Sequence, residues 1–284
     1  MKEKNIVGVD LGGTNARAGL VRNQKLAEVS STKIDPRASV DEILDQLCGL
    51  IDETKVKNLD GIGIGVPSVV NIEKGIVYDV QNIPSWKEVP LKSIMEKRYS
   101  TPVFVNNDAN CFALGENYFG KGVEYKSLIG LILGTGFAGG IIIDNKLYAG
   151  SNCGAGEFGM IPYLDSIYEH YSCGQFFTRK TGQTGEQVFQ RAVNGDEEAL
   201  NIFEEFGSHL GNSIKTILYA YDPEIIILGG SVRKAFRFFE KSMWECMQSF
   251  AYSNSINNLK IDVSELEHIA ILGAAALYYD AGMA

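Results

Sequence analysis

The stretch Ile6-Val-Gly-Val-Asp10-Leu-Gly12-Gly13-Thr14-Asn15-Ala-Arg-Ala-Gly-Leu-Val21 decides how the chain is read. Residues 6–9 form a short β-branched run, Gly12-Gly13-Thr14 a turn, and residues 16–21 a returning apolar run, which predicts a β-hairpin. Two glycines and a threonine hydroxyl in such a turn let backbone N–H groups approach an anion closely. Asp10, on the strand before it, can stand beside a hydrated divalent cation. By itself the turn reads equally well as an ordinary hairpin.

Working outward, the pattern recurs. Residues 128–133 read as a strand, Gly134-Thr135-Gly136 as a turn and residues 139–143 as a returning strand. A third glycine turn, Gly229-Gly230-Ser231, follows the buried-type strand at 224–228 and opens a helix. Three such turns at strand ends suit a nucleoside triphosphate, which needs contacts along its length. Between them, apolar residues at 40, 43, 44, 47, 50 and 51 have helical spacing, as do those in the mostly helical stretch 184–221, broken near Asn194-Gly195. A strand is predicted over 61–66, helices over 89–99 and 268–279, and short strands over 102–105 and 261–263. Alternating strands and helices favour an α/β architecture.

Two glycine patterns are decoys. Gly134-Thr-Gly136-Phe-Ala-Gly139 matches G-x-G-x-x-G, but a dinucleotide fingerprint needs a helix next, and Gly140-Ile-Ile-Ile143 reads as a strand. Residues 115–122 nearly match a P-loop but follow a helix and lack the Ser or Thr that would hold magnesium.

Asn107-Asp108 marks the proposed chemical centre. Asp108 stands at the C-terminal end of a strand, where α/β sheets place ligands, and could accept a sugar hydroxyl proton as that oxygen attacks a γ-phosphorus. The competing role is a cap for the helix that follows. Glu157, in Gly154-Ala-Gly156-Glu157-Phe-Gly159, could grip sugar hydroxyls from a glycine-flanked loop. His170, His209 and His268 are scattered and read as surface or packing residues.

Composition bounds the rest. The chain has 284 residues, enough for two domains of roughly 100–200 residues each, and 45% hydrophobic with 21% charged residues is globular. Lys plus Arg is 26 against 35 Asp plus Glu, a net charge of −9, which gives no cationic cluster for nucleic acid. Five cysteines without a C-x-x-C pair read as reduced thiols, not as a disulfide frame or a zinc site. The opening residues are no signal peptide, and no apolar stretch is long enough to span a bilayer, so the reading is of a soluble, cytoplasmic protein.

Together these residues resemble the ROK family (repressors, open reading frames and sugar kinases), from residue 6 to about 279. The resemblance implies the two-lobed actin-like ATPase (ribonuclease H-like) α/β fold with its ligand cleft between lobes: an N-terminal lobe over 1–118, a C-terminal lobe over 119–268, and a closing helix over 269–284 packing back on the first. Asp10, Gly12, Gly13, Thr14 and Asn15 match the family's first phosphate motif, Gly134, Thr135 and Gly136 the second, and Gly229 and Gly230 the adenosine motif. Gly65-Val-Pro67-Ser68, Asn82-Ile-Pro-Ser-Trp86 and Val89-Pro-Leu91 match the sugar-side loops, and Asn107-Asp108-Ala-Asn110 the catalytic segment. By this resemblance Asp108 is the catalytic base. Gly65, Ser68, Asn82, Asn107, Asp108, Glu157 and Glu169 bind the sugar, and Asp10 holds Mg²⁺ mainly through water. ATP is the phosphoryl donor, a hexose or hexose derivative the acceptor, and a homodimer or homotetramer the assembly, without nucleic-acid or membrane partners.

The departures from the family are specific. Where it commonly has Glu-x-Gly-His, this chain has Glu157-Phe-Gly159-Met160, and residues 161–167 contain no cysteine. The zinc ligands are therefore missing and no zinc is expected. Ser68 stands where many members have glycine. Five residues precede Ile6, too few for the helix-turn-helix of the repressor branch, which leaves the kinase branch. The expected activity is ATP-dependent phosphorylation of a hexose in the manner of a glucokinase. The alternatives are a catalytically weak or inactive sugar-sensing protein and an ATPase acting on another acceptor.

Overall fold

The computed structural model describes residues 4–56 and 58–283. Residues 1–3, on which the expectation about a leader partly rests, lie outside the described residues. The chain divides into two compact units, one containing residues up to Glu124, Gly140–Ala155 and those from Leu266 onward, the other Tyr125–Gly139 and Gly156–Glu265.

In the first unit β1 (Asn5–Leu11), β2 (Asn15–Arg22) and β3 (Lys25–Lys33) form an antiparallel meander. Helix α1 (Val40–Glu53) follows, its first turn closed by a reciprocal capping box between Ser39 and Glu42. Then come β4 (Gly61–Val66), a small three-stranded sheet of β5 (Val70–Asn71), β6 (Ile76–Tyr78) and β7 (Glu88–Val89), and α2 (Leu91–Tyr99). Strand β8 (Val103–Asn107) leads directly into α3 (Asp108–Phe119). The main sheet has the order β3-β2-β1-β4-β8, with β1, β4 and β8 parallel. The apolar stripe of α1, Ile43, Leu44, Leu47, Leu50 and Ile51, is buried in one core with Val7, Val9, Ile62 and Ile64.

The closing helix, Ile269–Asp280, packs on α3, β1 and β4. It comes so near that a Cβ on Gly8 would lie 2.0 Å from the Ile271 carbonyl oxygen, and one on Gly63 1.7 Å from that of Ala274. Only glycine fits at either position.

A second five-stranded sheet, of order β11-β10-β9-β14-β15, is built from β9 (Leu128–Leu133), β10 (Phe137–Ile143), β11 (Lys146–Leu147), β14 (Ile225–Gly229) and β15 (Lys260–Val263), and β12 (Pro162–Tyr163) and β13 (Ser166–Ile167) form a separate antiparallel pair. The helices of this half are α4 (Glu169–Ser172), α5 (Gly174–Thr181), α6 (Gly185–Val193), α7 (Glu197–Tyr221), α8 (Phe236–Met247) and α9 (Ser253–Asn258). Asp196 caps α7 just after the predicted break at 194–195. Phe177, Phe203, Phe206 and Phe239 fill the core under α7 and α8.

Several boundaries move from their expected places, among them the strand expected over 102–105, which runs Val103–Asn107. Val89 belongs to β7, and the helix begins only at Leu91, because Pro90 stands at its cap. The strand expected from residue 139 begins at Phe137. The decoys behave as their flanks require: the G-x-G-x-x-G glycines run into β10, and Gly115 lies inside α3.

Candidate active site

In the first unit, the β1–β2 turn is closed by the Gly12 N–H donating to the Asn15 carbonyl at 2.8 Å, while the Asn15 amide donates to the Thr14 hydroxyl at 3.1 Å. A Cβ on Gly13 would lie 2.5 Å from the Cβ of Asn82, so the Gly12–Asn15 turn and the loop that carries Asn82 touch through a glycine. Asp10 faces Arg17 across the hairpin, and the Arg17 Nη2 donates to its Oδ2 at 2.7 Å. Burial pushes the Asp10 carboxyl above its ordinary range, and the Arg17 guanidinium offsets part of that rise.

The end of β8 is a buried amide network. The Oδ1 of Asn106 accepts from the Asn107 N–H at 2.8 Å, from the Asn110 amide at 2.9 Å and from the Cys153 thiol at 3.3 Å. Asn107 caps α3, accepting from the Ala109 N–H at 2.8 Å, and its amide donates to the Ser68 carbonyl at 3.3 Å. Asp108 is thus the first residue of the helix. Its Oδ1 also accepts from the Ala109 N–H, but the capping position belongs to Asn107. Gly65 pairs with Asp10 on one side and Asn106 on the other, and a Cβ there would come within 3.2 Å of the Cys111 sulfur. Burial, then the charges of Asp108 and Asp10, hold the Cys111 thiol well above its usual range. The Ser68 hydroxyl donates to the Tyr78 carbonyl.

In the second unit, the Gly134 N–H donates to the Gly136 carbonyl at 3.1 Å, and the Gly134 carbonyl accepts from the Gly174 N–H at 2.8 Å. Glu169 is tied to this turn. Its Oε2 accepts from the Phe137 N–H at 3.1 Å and its Oε1 from the Gln175 amide at 3.0 Å; Gln175 also donates to the Thr135 carbonyl at 3.2 Å. The Cys173 thiol donates to the carbonyls of Thr135 and Glu169, and burial pushes it up to about 12. Glu157 is exposed as a residue, yet partial burial of its carboxylate and then the charge of Glu169 raise it above the ordinary range. Met160 is 52% exposed. Gly230 has a left-handed backbone (φ +78°), and a Cβ there would meet the Leu133 carbonyl oxygen at 2.3 Å. A cavity of about 490 Å³ opens beside Gly134 and Thr135, lined among others by Phe177, Phe189, Val232 and Ala235. Its lining joins the Gly134-Thr135 turn to aromatic and aliphatic side chains, a composition that suits a ligand with an anionic and an aromatic end.

The structure thus gathers the expected residues into two clusters, Asp10–Asn15 with Gly65, Ser68, Asn82, Asn107 and Asp108 in the first unit, and Gly134–Gly136 with Glu157, Glu169, Gly229 and Gly230 in the second. The histidines join neither: His209 packs among Tyr163, Tyr171 and Phe176, His170 bonds Ser166, and His268 is exposed. Sequence reading missed Arg17, Asn106, Gln175 and Cys173. Arg17 carried a signal, since a hairpin turning at 12–14 that pairs Leu11 with Ala16 must pair Asp10 with residue 17. The other three act through contacts distant in sequence or through packing.

A family model described as ROK family matches residues 6–281. The glucokinase of Thermotoga maritima is 28% identical, over 98% of each chain. The xylose repressor of Caldicellulosiruptor bescii is also 28% identical, over 96% of this chain and 77% of the repressor. Among solved structures, a ROK family glucokinase from Streptomyces griseus, in complex with glucose and AMPPNP, superposes with a TM-score of 0.80 at 27% identity, over 96% of this chain and 98% of that one. The glycine turns, the Asn107–Asp108 junction and the near full-length match lead to one statement: this chain belongs to the ROK family and has its actin-like α/β ATPase fold.

Proposed function

We propose that the protein is an ATP-dependent hexose kinase. The observation that carries this reading is the contact of Gly13 with Asn82, which sets a phosphate-type turn against a sugar-type loop in the unit that also holds Asp108. In this reading Asp108 accepts the proton of the sugar hydroxyl as its oxygen attacks the γ-phosphorus. Asn82, Asn107, Glu157 and Glu169, with Gly65 and Ser68, orient the sugar. The hydroxyls of Thr14 and Thr135, with neighbouring N–H groups of the Gly12–Asn15 and Gly134–Gly136 turns that are not spent in closing those turns, hold the phosphates. The backbone at Gly229 and Gly230 makes room for the nucleoside. Most of the acceleration comes from alignment and charge neutralisation, since phosphoryl transfer asks little covalent work of a protein.

Mg²⁺ in such a site keeps most of its waters and is held by phosphate oxygens. Among the described residues no group of three or more His, Cys, Asp or Glu could hold a metal, so a full protein cage does not fit, whereas one carboxylate behind the phosphates does. Asp10 offers the oxygen that Arg17 leaves open, and the cation would neutralise phosphate charge there. No resident zinc is proposed.

Among the described residues no helix is long and apolar enough to cross a membrane. A cytoplasmic setting and a dimer or tetramer are proposed from the family tendency.

A second reading, a sugar sensor with weak or no turnover, is favoured by Met160 at the family's histidine position. Sugar-dependent ADP release across glucose, fructose, N-acetylated hexosamines and β-glucosides separates the two. Release with at least one sugar supports the kinase. Saturable sugar binding without release with any of them overturns it in favour of the sensor.

A further inference from the structure

Arg17 is assigned no part by the reading above. It leaves the first turn on β2, and its register partner is Asp10, so the two side chains share one face of the sheet. Asn15 lies two residues away along the same strand and so on that same face. Only one N–H of the guanidinium is used: Nη2 donates to Asp10 at 2.7 Å, and no other hydrogen bond or ion pair of Arg17 occurs among the described residues. The pair is lopsided in exposure. The Asp10 side chain is 14% exposed and that of Arg17 46%. A guanidinium has five N–H donors in a rigid fork that matches phosphate oxygens. Here one donor is anchored on a carboxylate whose side chain is 14% exposed, which sets the fork's direction, and the others remain open on the sheet face shared with Asp10 and Asn15, at the edge of the Gly12–Asn15 turn.

A mere counter-ion for Asp10 could be a lysine. A planar fork held at one corner beside an anion-type turn does something more. We propose that Arg17 is a phosphate-binding residue of the nucleotide site, with its open N–H groups on the terminal phosphates of the donor and with Asp10 as its positioning partner. The inference rests on the kinase reading and adds a catalytic group to it. In the transfer, the bond from the sugar oxygen to the γ-phosphorus forms and the bridging bond to the β-phosphate breaks. The electron pair of that bond goes to the departing ADP, and the hydroxyl proton goes to Asp108. Arg17 makes and breaks no covalent bond; it stabilises the negative charge gathering on the phosphate oxygens.

The test compares affinity for ADP and for adenosine, measured by titration calorimetry, with turnover, in the wild type, Arg17→Lys, Arg17→Ala and the double variant Asp10→Asn with Arg17→Ala. The double variant guards against misfolding, because it removes both members of the pair and leaves no buried lone carboxylate. Arg17→Ala and the double variant are expected to lose about 10- to 100-fold in ADP affinity with adenosine affinity unchanged, and turnover is expected to fall about 10²–10³-fold. Arg17→Lys is expected to recover part of the ADP affinity but little of the turnover, since a point charge does not replace the fork. Equal changes for ADP and adenosine, or no change for either with turnover near wild type, overturn the proposal and leave Arg17 a counter-ion. The binding measurements need no sugar. A wild-type chain that distinguishes ADP from adenosine through Arg17 but phosphorylates no sugar would therefore overturn the kinase reading and keep this one, and a wild-type chain that binds ADP no better than adenosine overturns this one.

Discussion

Asp108 stands on a junction whose neighbouring amides are tied down: the Asn106 Oδ1 accepts from Asn107, Asn110 and Cys153, and the Asn107 amide donates to the Ser68 carbonyl, while the buried Asn110 Oδ1 has no partner among the described residues. Asp108→Asn keeps the shape and the Ala109 contact but cannot take a proton. It is expected to leave folding and sugar binding intact and to cut turnover by about 10²–10⁴-fold in a coupled ADP-release assay; near-wild-type turnover would remove Asp108 from the base role. Glu157 makes a different prediction, in pH. Partial burial and Glu169 hold its folded-state carboxyl above the ordinary value, so the folded state binds that proton more tightly than the unfolded state. The resulting stability is fully present below the ordinary glutamate range and is lost as pH rises through the raised value. Glu157→Gln is therefore expected to raise the melting temperature relative to wild type more at pH 8 than at pH 4. An equal difference at both would show that the carboxyl titrates normally. At this scale the turn residues and Asp108 were legible because their chemistry lies in adjacent letters. Asn106 was not, because its partner Cys153 is 47 positions away.

The packing of the closing helix on β1 and β4 depends on glycine at the contact. Gly63→Ala would press a methyl against the Ala274 backbone carbonyl, which cannot rotate away as a side chain would. It is expected to destabilise the fold by about 1–3 kcal/mol. Gly49 is the control: it is exposed in the middle of α1 with nothing near its missing Cβ, so Gly49→Ala is expected to stabilise by about 0.4–1 kcal/mol. Denaturant titrations of both variants check the pair, and a neutral Gly63→Ala would mean that the helix is free to move. Strands that end in glycine turns and helices with a clear apolar stripe were readable from sequence. β3 was not, since Lys25–Lys33 is polar and exposed at most positions and gains its partners only from β2. Strands of two or three residues such as β5, β6 and β7 carry too few letters to show a period. The alternating Gly61-Ile-Gly-Ile-Gly was visible as a strand, but what its bare face receives lies some 200 positions later in the chain.

For the molecule as a whole, metal content is a direct check. The two cysteines nearest the family's zinc region have other partners: Cys153 donates to Asn106, and Cys173, its thiol raised by burial, donates to two carbonyls. A zinc ligand must be a thiolate, and Met160 has replaced the histidine. Elemental analysis of the purified protein is expected to find zinc well below one atom per chain, and chelators are expected to leave its melting temperature unchanged; stoichiometric zinc would contradict both. The order in which the elements are made has a consequence of its own. The ribosome delivers β1 and β4 early, yet the bare glycine face they present waits for residues 269–280, whereas every element within Gly156–Glu265 has by then emerged. During synthesis the earliest-made sheet is thus the last to be sealed, and the nascent chain carries an unsheltered apolar surface until its final helix arrives.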